Sequence, residues 1–188
     1  RLGTKSKTRI VVTASIIITT YNRPELLKRA LKSALNQTYK EYEIIVVDDC
    51  SEIPVKTPSV KVIRHKVNKG LSAARNTGIK AAKGKYIVCL DDDNELLPRF
   101  LEETVKVLEE DKINMWYAIT AGRTIQYKDY ARTVFPIVGK FTSIDWGWLI
   151  RKEVFDEILY DEDLRANEDT DFGIRFMKRG YGAGVIMD

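Results

Sequence analysis

The sequence predicts an α/β fold, a mostly parallel central sheet with helices on both faces. β-rich runs alternate with segments of helical periodicity through the first two thirds of the chain. The strand-like runs, such as Glu43-Ile44-Ile45-Val46-Val47, are almost continuously apolar, as strands covered on both faces must be. Three of these runs end in polar or acidic residues, where an open parallel sheet carries its ligands.

The first strand is read at Ser15 to Thr20. Asn22 or a neighbour is expected to cap the helix that follows, with Pro24 in its first turn and Leu27, Ala30, Leu31, Ala34 and Leu35 facing the sheet. Glu43 to Val47 and Val60 to Ile63 follow as parallel strands, ending at Asp48-Asp49 and near Arg64-His65. Gly70 opens a small-residue helix from Leu71 to Ala82, whose Ala74, Gly78 and Ala81 permit close approach to a neighbouring backbone. Tyr86 to Leu90 forms the strand that delivers Asp91, and Pro98 precedes a helix carrying Leu101, Val105 and Leu108. Beyond Asp111 the rhythm loosens, until a last helix from about Glu168 to Arg179 and a strand at Val185-Ile186-Met187.

Composition sets outer bounds. At 188 residues and 44% hydrophobic content the chain can bury one sizeable core, so a single domain over 1–188 is expected, without a linker. A net charge of +4 permits attraction to phosphates or to the surface of an anionic membrane without calling for a nucleic-acid partner. Cys50 and Cys89 lack CxxC spacing, which suits a reducing, cytoplasmic setting better than a disulfide scaffold. The longest apolar stretch, Ile10 to Ile18, is too short to span a bilayer. A start at Arg1 and a stop directly after a strand-like run lead us to expect a piece of a longer chain, whose missing part could carry a membrane anchor.

The chemistry concentrates at Asp91-Asp92-Asp93. Turns after strands use one Asp or Asn and gain nothing from three mutually repelling carboxylates, so the run calls for a compensating cation. A hard divalent ion shared with a diphosphate answers that need. Thr19-Thr20-Tyr21-Asn22 and Asp48-Asp49 are expected to converge on the same crevice. His65 is the single histidine, so neither a histidine-based metal site nor a Ser-His-Asp triad has partners, and a surface position at a strand end is its default. No GxGxxG or Walker loop is present.

Six segments, Ser15-Ile-Ile-Ile-Thr-Thr-Tyr-Asn-Arg-Pro24, Ser33-Ala-Leu-Asn-Gln-Thr38, Ile45-Val-Val-Asp-Asp-Cys-Ser51, Asn68 to Gly78, Gly84 to Asp93 and Asn167-Glu-Asp-Thr-Asp171, together resemble the inverting GT-A glycosyltransferases of family 2. The resemblance implies a Rossmann-like GT-A fold, with a nucleotide-binding half at about 14–112 and an acceptor-side half at about 113–188, and transfer of a sugar from a UDP-sugar or GDP-sugar to a hydroxyl of a saccharide or glycolipid acceptor. It implies that Thr19, Tyr21, Asn22 and Asp49 hold the nucleoside and that Arg75 approaches the nucleotide or its phosphates. It places Asp91 and Asp92 against ribose, sugar or metal-bound water, gives Asp93 to Mg2+ or Mn2+, and makes Asp169 the general base.

Glu168 and the aromatic faces of Trp146 and Trp148 are candidates for the acceptor side, one tryptophan being expected in the core. Cys50 stands where the family often has Gly or Asn, which singles out the turn there. Two other readings compete. A phospho-acceptor receiver domain leaves Asp92, Glu168-Asp169 and the Tyr21-Asn22 turn without a role, and a nucleotide-binding scaffold without transfer activity leaves the acidic groups unexplained.

Overall fold

A computed structural model describes residues 12–111, 118–122, 125–127, 130–132 and 148–187. In chain order the elements are β1 (Ala14–Thr20), α1 (Pro24–Leu35), β2 (Tyr42–Asp48), β3 (Lys61–Arg64), α2 (Leu71–Ala81), β4 (Tyr86–Asp91) and α3 (Phe100–Glu110). They are followed by β5 (Ala118–Gly122), β6 (Ile125–Tyr127), β7 (Tyr130–Arg132), β8 (Leu149–Arg151), α4 (Lys152–Glu157), α5 (Glu168–Lys178) and β9 (Ala183–Met187).

Seven strands form one sheet in the order β3-β2-β1-β4-β8-β5-β9, and β6 pairs with β7 in a separate antiparallel ribbon. In the large sheet β8 alone runs against its neighbours β4 and β5, and the other pairings are parallel. The mostly parallel sheet expected from the run lengths is present, with β8 as an antiparallel insertion between β4 and β5.

The faces follow from the period of two. Ile16, Ile18, Val46, Val88 and Leu90 point to one side, where α1 contributes Leu27, Ala30 and Ala34 and α3 contributes Leu101, Val105 and Leu108. Ile17, Ile45, Val47 and Ile87 point to the other, against Ala74 and Ile79 of α2, Phe155 of α4 and Phe172 and Phe176 of α5. The chain leaves β1 through α1 to reach β2, then returns through α2 to β4 on the far side of β1. Crossovers of one hand travelling in opposite directions must lie on opposite faces, which is where α1 and α2 sit.

One glycine is demanded by packing. A Cβ on Gly78 would sit 2.3 Å from Cγ2 of Ile17, so α2 lies closer to β1 than any other residue at this position permits. That closeness brings the first turn of α2 to the carboxyl ends of β1 and β2.

Candidate functional site

Because the strand order reverses between β1 and β4, their carboxyl ends flank a crevice. The register puts Thr19 beside both Val47 and Asp91, and Thr20 beside Asp48. A cavity of about 440 Å3 opens there, lined by Thr19, Thr20, Tyr21 and Arg23 together with Asp91, Asp92 and Asp93. Asp49 and the start of α2 at Gly70, Leu71 and Ala74 complete its lining.

Tyr21 is 46% exposed at this wall, an unusual placement for a large ring and a free face for a planar ligand. Thr19 is buried, and its Oγ1 has no hydrogen-bond partner among the described residues. A buried hydroxyl left without a partner at a cavity wall is a ready group for a ligand. Asp49 is only 4% exposed yet lines the cavity. Its Oδ2 accepts from Gly70 N at 2.8 Å, and its Oδ1 accepts from Lys69 N at 2.9 Å and from His65 Nδ1 at 2.6 Å.

Asn22 does other work than the sequence suggested. It neither caps α1, whose N-cap is Arg23 without a side-chain bond, nor lines the cavity. With φ at 55° it turns back, its N–H donating to Ser51 Oγ at 2.9 Å and its Oδ1 accepting from Glu52 N at 2.7 Å. It therefore staples the turn after β1 to the turn after β2. Asp48, fully buried, holds that second turn by accepting from Ser51 N, Val55 N and Arg64. Cys50 adopts φ of 70°, the left-handed conformation that favours Gly or Asn, so the departure noted in the sequence falls on a strained position.

The three carboxylates of the acidic run are not equivalent. Both oxygens of Asp91 lie within 3.0 Å of Arg75 Nη2. Asp92 is buried, accepting from Thr20 Oγ1 at 2.7 Å and from Arg23 Nη1 at 3.2 Å. Burial holds its carboxyl above the usual range, with Asp93 adding to the shift and Thr20 and Arg23 opposing it. Asp93 has a side chain 52% exposed at the rim, 3.5 Å from Arg23 Nη1. Among the described residues no group of three histidine, cysteine or carboxylate side chains forms a cage for a metal. One half-exposed carboxylate facing a cavity suits a hard divalent cation that takes its other oxygens from a ligand and water, so the donor set fits Mg2+ or Mn2+.

Arg75 is the centre of the site's electrostatics. It is 1% exposed, and its Nη1 donates to Glu168 at 3.0 Å and to Asp169 at 2.7 Å while its Nη2 serves Asp91. The guanidinium lies 4.9 Å from the centroid of the Tyr160 ring. Burial works against the cation, but Tyr160, Asp91 and Asp169 around it raise its pKa above its already high ordinary value. Arg75, expected near the nucleotide or its phosphates, does not line the cavity and is a buried tie between the end of β4 and the first turn of α5.

Comparison with known proteins decides the family. The family model described as glycosyl transferase family 2 matches residues 15–165. The chain belongs to glycosyl transferase family 2. Family relatives include the uncharacterized glycosyltransferase MJ1057 of Methanocaldococcus jannaschii, 28% identical over 92% of this chain and 67% of its own length. The putative colanic acid biosynthesis glycosyl transferase WcaA of Escherichia coli is 31% identical over 87% of this chain and 65% of its own. The chain thus spans about two thirds of these two relatives. Among solved structures, S. aureus TarS superimposes with a TM-score of 0.73 at 20% identity, over 94% of this chain and 58% of that one, and it has also been solved with UDP and with UDP-GlcNAc. The likeness establishes the GT-A fold expected from the sequence.

Within this family 2 domain, the remaining expected residues divide. Glu168 and Asp169 stand together in the first turn of α5, joined to the acidic run through Arg75. Trp148 is 8% exposed and packs in the core with Ile150, Val154 and Phe155, so it offers no face to a sugar. The cause is its place at the entry of β8, a strand sandwiched between β4 and β5. Trp146 lies outside the described residues. His65 and Arg23 were not singled out as site residues by the sequence. His65 is buried rather than at the surface, and a lone histidine immediately after a strand end that neighbours Asp49 is the signal that was available. Among the described residues no helix is long and apolar enough to cross a membrane.

Proposed function

We propose that this family 2 domain transfers a hexosyl group from a nucleoside diphosphate sugar to an acceptor hydroxyl with inversion, using Asp169 as the general base. The observation that carries it is the buried Arg75 tie, which fixes Asp169 on the same guanidinium as Asp91 of the cavity wall. A base held rigidly beside the donor cavity, yet outside its walls, suits attack from the face opposite the leaving group.

In this reading Tyr21 stacks on the base and Asp49 accepts from its N–H, the unpartnered Thr19 hydroxyl meets the nucleoside, and Asp91 and Asp92 meet ribose, sugar or metal-bound water. Asp93 would hold Mg2+ or Mn2+ with the diphosphate, and such an ion supplies neutralisation of the charge that the leaving group develops. Arg23 bridges Asp92 and Asp93, and its exposed guanidinium lies within side-chain reach of the place where phosphate charge would gather. Glu168, on the recess next to the cavity, faces the acceptor side. The UDP and UDP-GlcNAc complexes of TarS support a nucleotide-sugar donor, and a saccharide or glycolipid is the proposed acceptor. Action at the cytoplasmic face of a membrane accords with the basic charge and with such an acceptor.

Stereochemistry tests the mechanism without knowledge of the acceptor, because water substitutes weakly for it. Incubated with an α-linked UDP-hexose, the protein is expected to release β-hexose first, seen by proton NMR before mutarotation. Initial release of α-hexose would contradict inversion by a single displacement.

A further inference from the structure

Behind Asp49 of the cavity lining runs the chain Thr77–His65–Asp49. His65 is 7% exposed, with Nδ1 at 2.6 Å from Asp49 Oδ1 and Nε2 at 2.9 Å from Thr77 Oγ1. An ionised carboxylate only accepts, so Nδ1 carries the proton donated to Asp49, and Nε2 is paired with the Thr77 hydroxyl. Asp49 Oδ1 then carries two donors, His65 Nδ1–H and Lys69 N–H, which fill both its lone-pair positions. Oδ2 carries Gly70 N–H and retains a single position among the described residues.

Resting on the nucleotide-sugar reading above, we infer that His65 is a positioning residue that leaves Asp49 one acceptor position for the base and so selects an imide base, uracil or thymine, over guanine. Uracil presents one N–H, at N3, between two carbonyls, and needs one carboxylate lone pair there. Guanine presents N1–H and N2–H side by side and is held best by two carboxylate oxygens at once, a fork that Oδ1 cannot join while His65 and Lys69 occupy it. Adenine and cytosine set a ring nitrogen lone pair beside their amino group, which a carboxylate repels. His65 thus acts through Asp49 and does not itself line the cavity.

Calorimetric titration with UDP and GDP, with Mn2+ present, tests this on the wild type, His65→Ala and His65→Asn, with melting temperatures recorded alongside. The wild type is expected to bind UDP at least about 10-fold more tightly than GDP, the equivalent of one charge-assisted hydrogen bond. His65→Ala frees an Oδ1 position and lets the carboxylate turn, so UDP affinity falls about 10-fold and the preference narrows to about 3-fold or less. His65→Asn keeps a donor N–H near Nδ1 and is expected to restore most of the preference. Should His65→Ala fail to fold, Thr77→Val, which removes only the support at Nε2, is expected to narrow the preference in the same direction. Equal or tighter binding of GDP by the wild type overturns the inference while leaving the donor reading intact. Equal loss of UDP and GDP on substitution, or no advantage of His65→Asn over His65→Ala, also overturns it by making His65 merely structural. Failure of both nucleotides to bind the wild type overturns it together with the donor reading.

Discussion

Arg75→Met is expected to cost about 3–5 kcal/mol of stability, the range for removing one partner of a buried ion pair. For a chain of this length that lowers the melting temperature by roughly 6–20 °C. The reason is local: Asp91, Glu168 and Asp169 share this guanidinium, and its removal leaves three acidic side chains crowded at the ends of β4 and α5 without their common counter-charge. Arg75→Lys is expected to recover only part of the loss, because one ammonium cannot reach three carboxylates through the two nitrogens of a planar fork. Transfer activity should fall in both variants, since Asp169 loses the group that orients it. Thermal unfolding followed by circular dichroism checks this, and a melting temperature within about 2 °C of wild type for Arg75→Met would show that the tie contributes little.

Asp169→Asn is expected to separate chemistry from binding. The amide oxygen still accepts from Arg75 Nη1, now 2.7 Å from the carboxylate, so the fold should survive with a change of no more than about 1 kcal/mol. Asp169 does not line the donor cavity, so the KM for the donor should change little. An amide cannot take the acceptor's proton, and kcat should fall by about 100- to 10,000-fold, the usual worth of a positioned general base. Steady-state kinetics with a nucleotide sugar measures both quantities. A kcat near wild type would remove Asp169 from the mechanism, and a large rise in KM with unchanged kcat would make it a donor-binding residue instead.

The parts of this molecule legible in its sequence are those written in local pattern. β1, β2 and β4 announce themselves as apolar runs closed by Thr19-Thr20, Asp48 and Asp91, and their observed bounds differ from the expected ones by one residue at most ends. The small residues of α2 foretold its close approach to the sheet, which Gly78 against Ile17 realises. What the sequence hid depends on partners far along the chain. Asn22 has the chemistry of a helix cap, but a partner 30 residues away at Glu52 outcompetes the helix. The tie at Arg75 is not legible locally, because its partners Glu168 and Asp169 come from α5 more than 90 residues later. Trp148 pairs with Trp146 in an aromatic motif suggestive of sugar binding, yet the insertion of β8 into the sheet buries it. The antiparallel sense of β8 follows from its long-range pairing with β4, which a three-residue strand cannot reveal by its own periodicity.

The proposed occupant of the cavity between β1, β2 and β4 is a nucleoside diphosphate together with a divalent cation at Asp93. Titration calorimetry with UDP and GDP in the presence of Mn2+, Mg2+ or EDTA, on wild type and on Asp93→Asn, tests it directly. Tight binding of a nucleotide that weakens at least about 10-fold with EDTA, and equally in Asp93→Asn with metal present, is the predicted result. Binding that is indifferent to both EDTA and the substitution would contradict the metal role of Asp93, and no nucleotide binding under any condition would contradict the account of the cavity itself.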